Sequence, residues 1–319
     1  MQNKKPNLIS TVTAKCQTGT SLCNIDSCQH QTTRRPKRVW EQDARTPTHS
    51  MAVVVVFDFD KTIIDCDSDN WVVDELGLTP LFTQLLPTMP WNSLMDRMFM
   101  ELHSQGKTME EIAECLKRAP LHPRIISAIK SAHASGCDLR IVSDANAFFI
   151  ETVLKHHGLM DCFSEIKTNP SFVDGEGRLR ILPYHDLKSS SHGCNICPPN
   201  MCKGLVMEMV RTSVSAEGKK RFIYLGDGSA DFCSGLKLGE GDYLMPRKNY
   251  PIWETICSNP KLIKSKINEW SNGEELEKIL LQLITAISIE EKCNMRSDKC
   301  QASSMDSHKT FQSVLPVPH

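Results

Sequence analysis

Four consecutive valines and an aromatic, Val53-Val54-Val55-Val56-Phe57, constrain the fold of this chain more than any other stretch of it. A β-branched run without polar alternation suits a strand covered on both faces, as in the middle of a parallel sheet. Asp58 and Asp60 follow at i and i+2, with Lys61 and Thr62 behind them, where such a strand should end. Ligands of open α/β sheets gather outside the carboxyl ends of the strands. Two carboxylates placed there repel one another unless a cation joins them. The competing reading is an acidic strand exit into a solvated loop.

Composition narrows the rest. The chain has 319 residues, 40% of them hydrophobic, enough for one large domain or two modest ones. A formal net charge of -1 gives no argument for a nucleic-acid surface. The longest apolar run near the C-terminus, Ile279 to Ile289, contains Gln282 and Thr285 and is too short to span a bilayer. No basic, apolar, small-residue signal peptide is evident, so the 14 cysteines are expected as thiols in a reducing compartment, the cytoplasm.

Residues 1–50 are rich in Ser, Thr, Gln, Lys and Arg without apolar periodicity and are expected to be a disordered extension. Their basic run Arg34-Arg35-Pro36-Lys37-Arg38 reads as a solvated tail or a nuclear signal, and an organelle transit role stays open. The folded domain is expected over 51–292. Within it, three- and four-residue apolar spacing from about 70 to 135, punctuated by prolines, predicts a small helical cap inserted after the first strand. Further strands are expected at Cys137–Val142, Arg221–Leu225 and Asp242–Met245, with a two-strand turn around Gly175 and Gly177. Helices are expected from Ala147 to His157 (Gly158 following as C′), from Lys203 to Thr212 and from Glu274 to Glu290. Residues 293–319 read as a disordered tail. The fold class is α/β: a Rossmann-like parallel sheet flanked by helices, with a small inserted helical cap.

Three of these strands end in residues suited to one reaction. Asp58 and Asp60 follow the first, Ser143 the second, and Asp227 and Asp231 another. In a parallel sheet such ends lie along one edge, so the set predicts a Mg²⁺-dependent phosphoryl-transfer site with an aspartate nucleophile. Asp58 can attack phosphorus, and Asp60 can protonate the leaving oxygen and later deprotonate water. Asp58, Asp227 and the backbone carbonyl of Asp60 offer hard oxygens to Mg²⁺. Ser143 can hydrogen-bond a phosphoryl oxygen, and Lys203 can offset its charge. Asp231 can orient Lys203 or serve the metal. Each has a plainer alternative: Ser143 as a helix cap, Asp227 and Asp231 as turn residues, Lys203 as a surface lysine.

The motifs Phe57-Asp58-Phe59-Asp60-Lys61-Thr62-Ile63, Ile141-Val142-Ser143-Asp144-Ala145-Asn146, Asn200-Met201-Cys202-Lys203-Gly204 and Gly226-Asp227-Gly228 together resemble the haloacid dehalogenase-like hydrolases. Within these the chain is similar to the phosphoethanolamine/phosphocholine phosphatase family, especially plant phosphate-starvation-induced members, some described as inorganic pyrophosphatases. The resemblance covers roughly 52–290. It implies a Rossmann-like core with a helical cap, Asp58 as nucleophile, Asp60 as acid and base, and Mg²⁺ held by Asp58, Asp60 and Asp227. It also implies that Asp69 and Asp144 face a cationic amine of a small phosphorylated metabolite, although Asp69 could instead cap the first cap helix. Phosphoethanolamine, phosphocholine, pyrophosphate and thiamine monophosphate all stay open as substrates. An ion-pump fragment, a receiver-like signalling domain and an inactive phosphate-binding module are the competing functions. The absent membrane spans, the helical insert before Ser143 and the intact Asp58/Asp60 pair argue against them in turn.

One cluster stands apart. His192, Cys194, Cys197 and Cys202 have spacing that could hold zinc, although the usual distant second Cys-x₂-Cys is missing. The alternative is a Pro-rich loop with reduced thiols.

Overall fold

The computed structural model describes residues 53–186, 192–215 and 220–306. The expectations for residues 1–50, including the basic run, and for 307–319 lie outside the described residues. The chain opens with β1 (Val53–Phe57) and passes through α1 (Ser68–Glu75), α2 (Thr79–Leu85), α3 (Trp91–Ser104) and α4 (Met109–Lys117). It then follows α5 (Pro123–Ala134), β2 (Asp138–Asn146), α6 (Ala147–His156), β3 (Glu165–Asn169) and a hairpin of β4 (Ser171–Val173) and β5 (Leu179–Ile181). α7 (Lys203–Ser215), β6 (Arg221–Gly226), α8 (Ser229–Gly235), β7 (Tyr243–Pro246), α9 (Pro251–Ser258), β8 (Lys266–Ile267) and α10 (Gly273–Asp306) complete it.

Six strands form one parallel sheet in the order β3-β2-β1-β6-β7-β8. β1 sits between β2 and β6, and all five of its residues are buried. Alternation sorts them: Val53, Val55 and Phe57 join the core that includes α5 and α10, and Val54 and Val56 pack with Val206, Met207 and Val210 of α7. This two-sided burial is why the strand carries no polar residue. In the sheet register Phe57 pairs with Ile141 and with Leu225, so Asp58, Val142 and Gly226 come level at one edge. Sequence order reverses across β1, the kind of switch point where open sheets hold ligands.

The inserted helices begin at Ser68, and Pro123 starts α5 at its first turn, where a missing N–H is harmless. Gly158 after α6 has φ +61, a left-handed C′ position. Three boundaries differ from expectation. α5 belongs with the sheet, packing on α10 and β2, so the inserted helices are α1–α4 rather than everything to 135. β2 continues through Ser143 to Asn146, with a register shift against β3 between Val142 and Asn146. α10 continues to Asp306 instead of giving way to a disordered tail after 292. β3 was not anticipated: Glu165-Ile166-Lys167-Thr168-Asn169 lacks an apolar run, and only pairing with β2 at the sheet edge makes it a strand. The β4–β5 hairpin is tied to α3 by a bidentate pair, Arg180 Nε and Nη2 donating to Asp96 Oδ1 and Oδ2 at 2.8 and 2.7 Å. Among the described residues, no helix is long and apolar enough to cross a membrane.

Candidate active site

The three strand ends converge on one buried lysine. Lys203 Nζ, at the first residue of α7, lies 2.9 Å from Asp58 Oδ1, 3.1 Å from Asp144 Oδ1 and 3.0 Å from Asp231 Oδ1. Burial pushes its pKa down, but Asp144, Asp231 and Asp58 outweigh that and hold it well above the ordinary lysine value. It therefore stays cationic inside the protein.

Asp231 is committed to holding this arrangement. Its Oδ1 accepts from Lys203 and, at 2.7 Å, from the Tyr224 hydroxyl. Its Oδ2 accepts from the backbone N–H of Asp227 at 3.1 Å and of Gly228 at 2.8 Å. Four hydrogen bonds make it a weaker metal ligand than the sequence suggested and a strong anchor for the Asp227 loop. Gly226 permits this approach, since a Cβ there would stand 2.4 Å from Asp231 Cγ.

Asp58 and Asp227 face a charge deficit. One carboxylate oxygen each from Asp58, Asp227 and Asp231 lie within 4.8 Å of one another. Asp58 Oδ1 also accepts from the Phe59 amide at 2.7 Å. Burial, then the charge of Asp231, raises Asp58 well above the carboxylate range, even with Lys203 opposing. The same two causes, in the same order, push Asp227 up to about 7. A buried group of acids balanced by one lysine is a site that a further cation would relieve, and all-oxygen donors suit a hard ion such as Mg²⁺.

Asp60 sits at a sharp turn. Lys61 after it has φ +52, a conformation that non-glycine residues seldom adopt. Two contacts on its backbone hold it: Arg247 Nη1 donates to the Lys61 carbonyl at 2.5 Å, and the Lys61 amide donates to the Cys66 carbonyl at 3.0 Å. Asp60 Oδ1 accepts from the Ser68 amide at 3.0 Å. Burial, then Asp67 and Asp69, raises Asp60 well above its ordinary value, which favours a proton on it.

Asp69 does not cap α1. Asp67 does, accepting from the Asn70 amide at 3.1 Å. Asp69 Oδ2 accepts from the Trp91 indole N–H at 2.6 Å, and its Oδ1 is buried without a partner. Burial, then Asp67, pushes it up to about 7. Asp69, Trp91 and Asp144 line the same cavity of about 380 Å³ as Asp58, Asp60, Lys203 and Asp227. Trp91 was not singled out from the sequence, because a tryptophan opening an apolar helix reads as core.

Ser143 is at the edge of the set. It is fully buried at the end of β2, its Oγ accepts from the Ala145 amide at 3.4 Å, and it is not among the residues lining the cavity. The cysteine group also differs from the expected one. Cys194, Cys197 and Cys202 gather with Cys233 of α8, not with His192. The His192 ring accepts from the Cys194 amide at 3.1 Å and contacts the Pro198 carbonyl at 3.0 Å, so its nitrogens are directed to the loop backbone.

A Rossmann-like sheet with paired acids after β1, a lysine opening α7 and an acidic loop after β6 defines a haloacid dehalogenase-like phosphatase. Residues 53–284 match the model of the family described as Putative Phosphatase, and the chain belongs to that family of phosphoric monoester hydrolases. It is 56% identical to "Inorganic pyrophosphatase 2" of Arabidopsis thaliana over 82% of this chain and 96% of the relative. It is 61% identical to "Inorganic pyrophosphatase 1" of the same plant, over 74% and 80% of the two chains. A third Arabidopsis thaliana relative, "Thiamine phosphate phosphatase-like protein", is 60% identical over 75% of this chain and 98% of its own.

Proposed function

We propose that the protein is a Mg²⁺-dependent phosphatase that passes the phosphoryl group of a small metabolite to Asp58 and then to water. We propose further that it prefers phosphate esters whose organic part is cationic. The observation that carries the first part is the buried Asp58–Lys203–Asp231 contact with the Asp227 carboxylate alongside.

Mg²⁺ bound by Asp58, Asp227 and the Asp60 backbone carbonyl would supply positive charge against the phosphoryl oxygens. Lys203 opposes the rise of the Asp58 pKa, a bound Mg²⁺ would add to that effect, and the ammonium faces the same oxygens. An Asp58 oxygen bonds to phosphorus as the ester P–O bond breaks, and Asp60 gives its proton to the departing alkoxide. Asp60, now ionised, takes a proton from water as that water's oxygen bonds to phosphorus and the Asp58 P–O bond breaks. Asp58 returns as carboxylate and Asp60 as acid. Asp231 positions Lys203.

Substrate choice rests on Asp69. Its unpartnered oxygen, the Trp91 ring and Asp144 give the cavity an anionic and aromatic side, the chemistry that recognises an ammonium or thiazolium group. The names of two relatives favour a second reading, inorganic pyrophosphate. Asp60, Asp67, Asp69 and Asp144 would repel that anion, so this reading requires a further Mg²⁺ to arrive with it. A Mg²⁺ panel of phosphoethanolamine, phosphocholine, thiamine monophosphate, glycerol phosphate and pyrophosphate tests both. Higher kcat/KM for the three cationic esters than for glycerol phosphate is expected. Equal values for all four esters refute the cationic preference, and pyrophosphate exceeding all of them establishes the second reading.

A further inference from the structure

We propose that Cys194, Cys197, Cys202 and Cys233 hold one structural Zn²⁺ ion, separate from the Mg²⁺ site. The four sulfurs lie within 4.8 Å of one another. Cys194 Sγ is 3.7 Å and Cys202 Sγ 3.9 Å from Cys233 Sγ. A tetrahedral ion with Zn–S bonds of about 2.3 Å sets its sulfurs about 3.8 Å apart. A disulfide would need one pair at about 2.05 Å and would leave the other two thiols without a role.

The local backbone is shaped for sulfur ligands. Gly193 has φ +67 at the entry to the Cys-x₂-Cys turn, and within the turn the Ile196 amide donates to Cys194 Sγ at 3.4 Å. Such an amide–sulfur contact favours a thiolate. Gly204 makes room for the fourth ligand, because a Cβ there would lie 2.4 Å from Cys233 Sγ. Cys197, Cys202 and Cys233 are buried and Cys194 is half-buried, which closes the site to solvent and substrate. Four protein ligands with no open position mark a structural ion rather than a catalytic one. Soft thiolates take Zn²⁺ and hard carboxylates Mg²⁺, so the two ions sort themselves.

The position explains why the fold would need it. Cys202 immediately precedes Lys203, and Cys233 follows Asp231 by one turn-sharing residue on α8. Ile196, Pro198 and Asn200, between the first and third ligands, form one wall of the cavity. One ion therefore pins a loop wall, the start of α7 and α8 together, and with them the Lys203–Asp231 contact.

The test uses the full chain, expressed with zinc and purified without chelators. Elemental analysis is expected to find one zinc per chain that persists when Mg²⁺ is dialysed away. Co²⁺ substitution is expected to give thiolate-to-cobalt charge transfer and tetrahedral ligand-field bands. Cys233→Ser is expected to lower zinc at least about ten-fold, and Cys257→Ser, an exposed thiol on α9, to leave it unchanged. Folded wild-type protein without zinc, a non-tetrahedral cobalt spectrum, or full zinc in Cys233→Ser would overturn the proposal. So would a Cys194–Cys233 or Cys202–Cys233 disulfide in anaerobically isolated protein. If Cys233→Ser does not fold, the wild-type metal content and cobalt spectrum decide. None of these readouts uses phosphatase turnover, so the result is independent of the catalytic assignment.

Discussion

Removing one carboxylate from the proposed Mg²⁺ site should stabilise the metal-free protein. Asp227 is 6% exposed and its pKa is pushed from 3.8 to about 7 by burial and Asp231. A raised carboxyl pKa means that the folded state resists ionisation. The stability involved is fully present below the unfolded value of 3.8 and is lost as pH rises through about 7. That shift corresponds to about 4 kcal/mol. About 2.5 kcal/mol of it falls between pH 5 and pH 8, or about 5–10 °C in Tm for a domain of this size. Asp227→Asn keeps the shape and removes the charge. In EDTA, thermal and urea unfolding should show wild type losing stability toward pH 8 while the variant loses less, so the variant becomes the more stable protein at the alkaline end. Added Mg²⁺ should raise the wild-type Tm at pH 8 and leave the variant nearly unmoved. If wild type and Asp227→Asn follow the same pH curve in EDTA, the charge-deficit account of the site is wrong.

Other perturbations separate the remaining roles. Asp58→Asn should abolish turnover while circular dichroism stays native; measurable steady-state hydrolysis would remove Asp58 as nucleophile. Asp60→Asn should lower kcat by about 10²–10⁴-fold for poor leaving groups and less for nitrophenyl phosphate, which needs no proton. Asp69→Asn should raise KM for phosphocholine more than for glycerol phosphate. In wild type, kcat/KM for phosphocholine should fall below pH about 7 as Asp69 gains a proton, and the variant should lack that step. Lys203→Met leaves Asp58, Asp144 and Asp231 without their shared cation and should cost about 3–5 kcal/mol in urea unfolding. A loss below about 1 kcal/mol would mean that Lys203 is not the cation that holds this group together.

What the sequence determined by itself was the part written in local pattern. Val53 to Phe57 read as a doubly covered strand, because every residue is apolar and β-branched or aromatic, and the fold bears this out. The acids after it and after Arg221–Leu225 were then expected at one sheet edge, because parallel strands end together, and Asp58, Asp227 and Asp231 do meet there. Tertiary structure decided the rest, and in each case through a partner remote in sequence. Glu165–Asn169 became a strand only by pairing with β2. Trp91 and Asp69 became one wall because the indole N–H at the start of α3 reaches the Asp69 carboxylate on α1. Asp231, expected to orient Lys203, was drawn also to Tyr224 and two loop amides, partners that no spacing announces. Cys233 replaced His192 beside the other three thiols because α8 packs on the first turn of α7, where Gly204 leaves space for its sulfur. Periodicity reports which face a residue turns inward; which distant side chain waits there is settled only when the layers close.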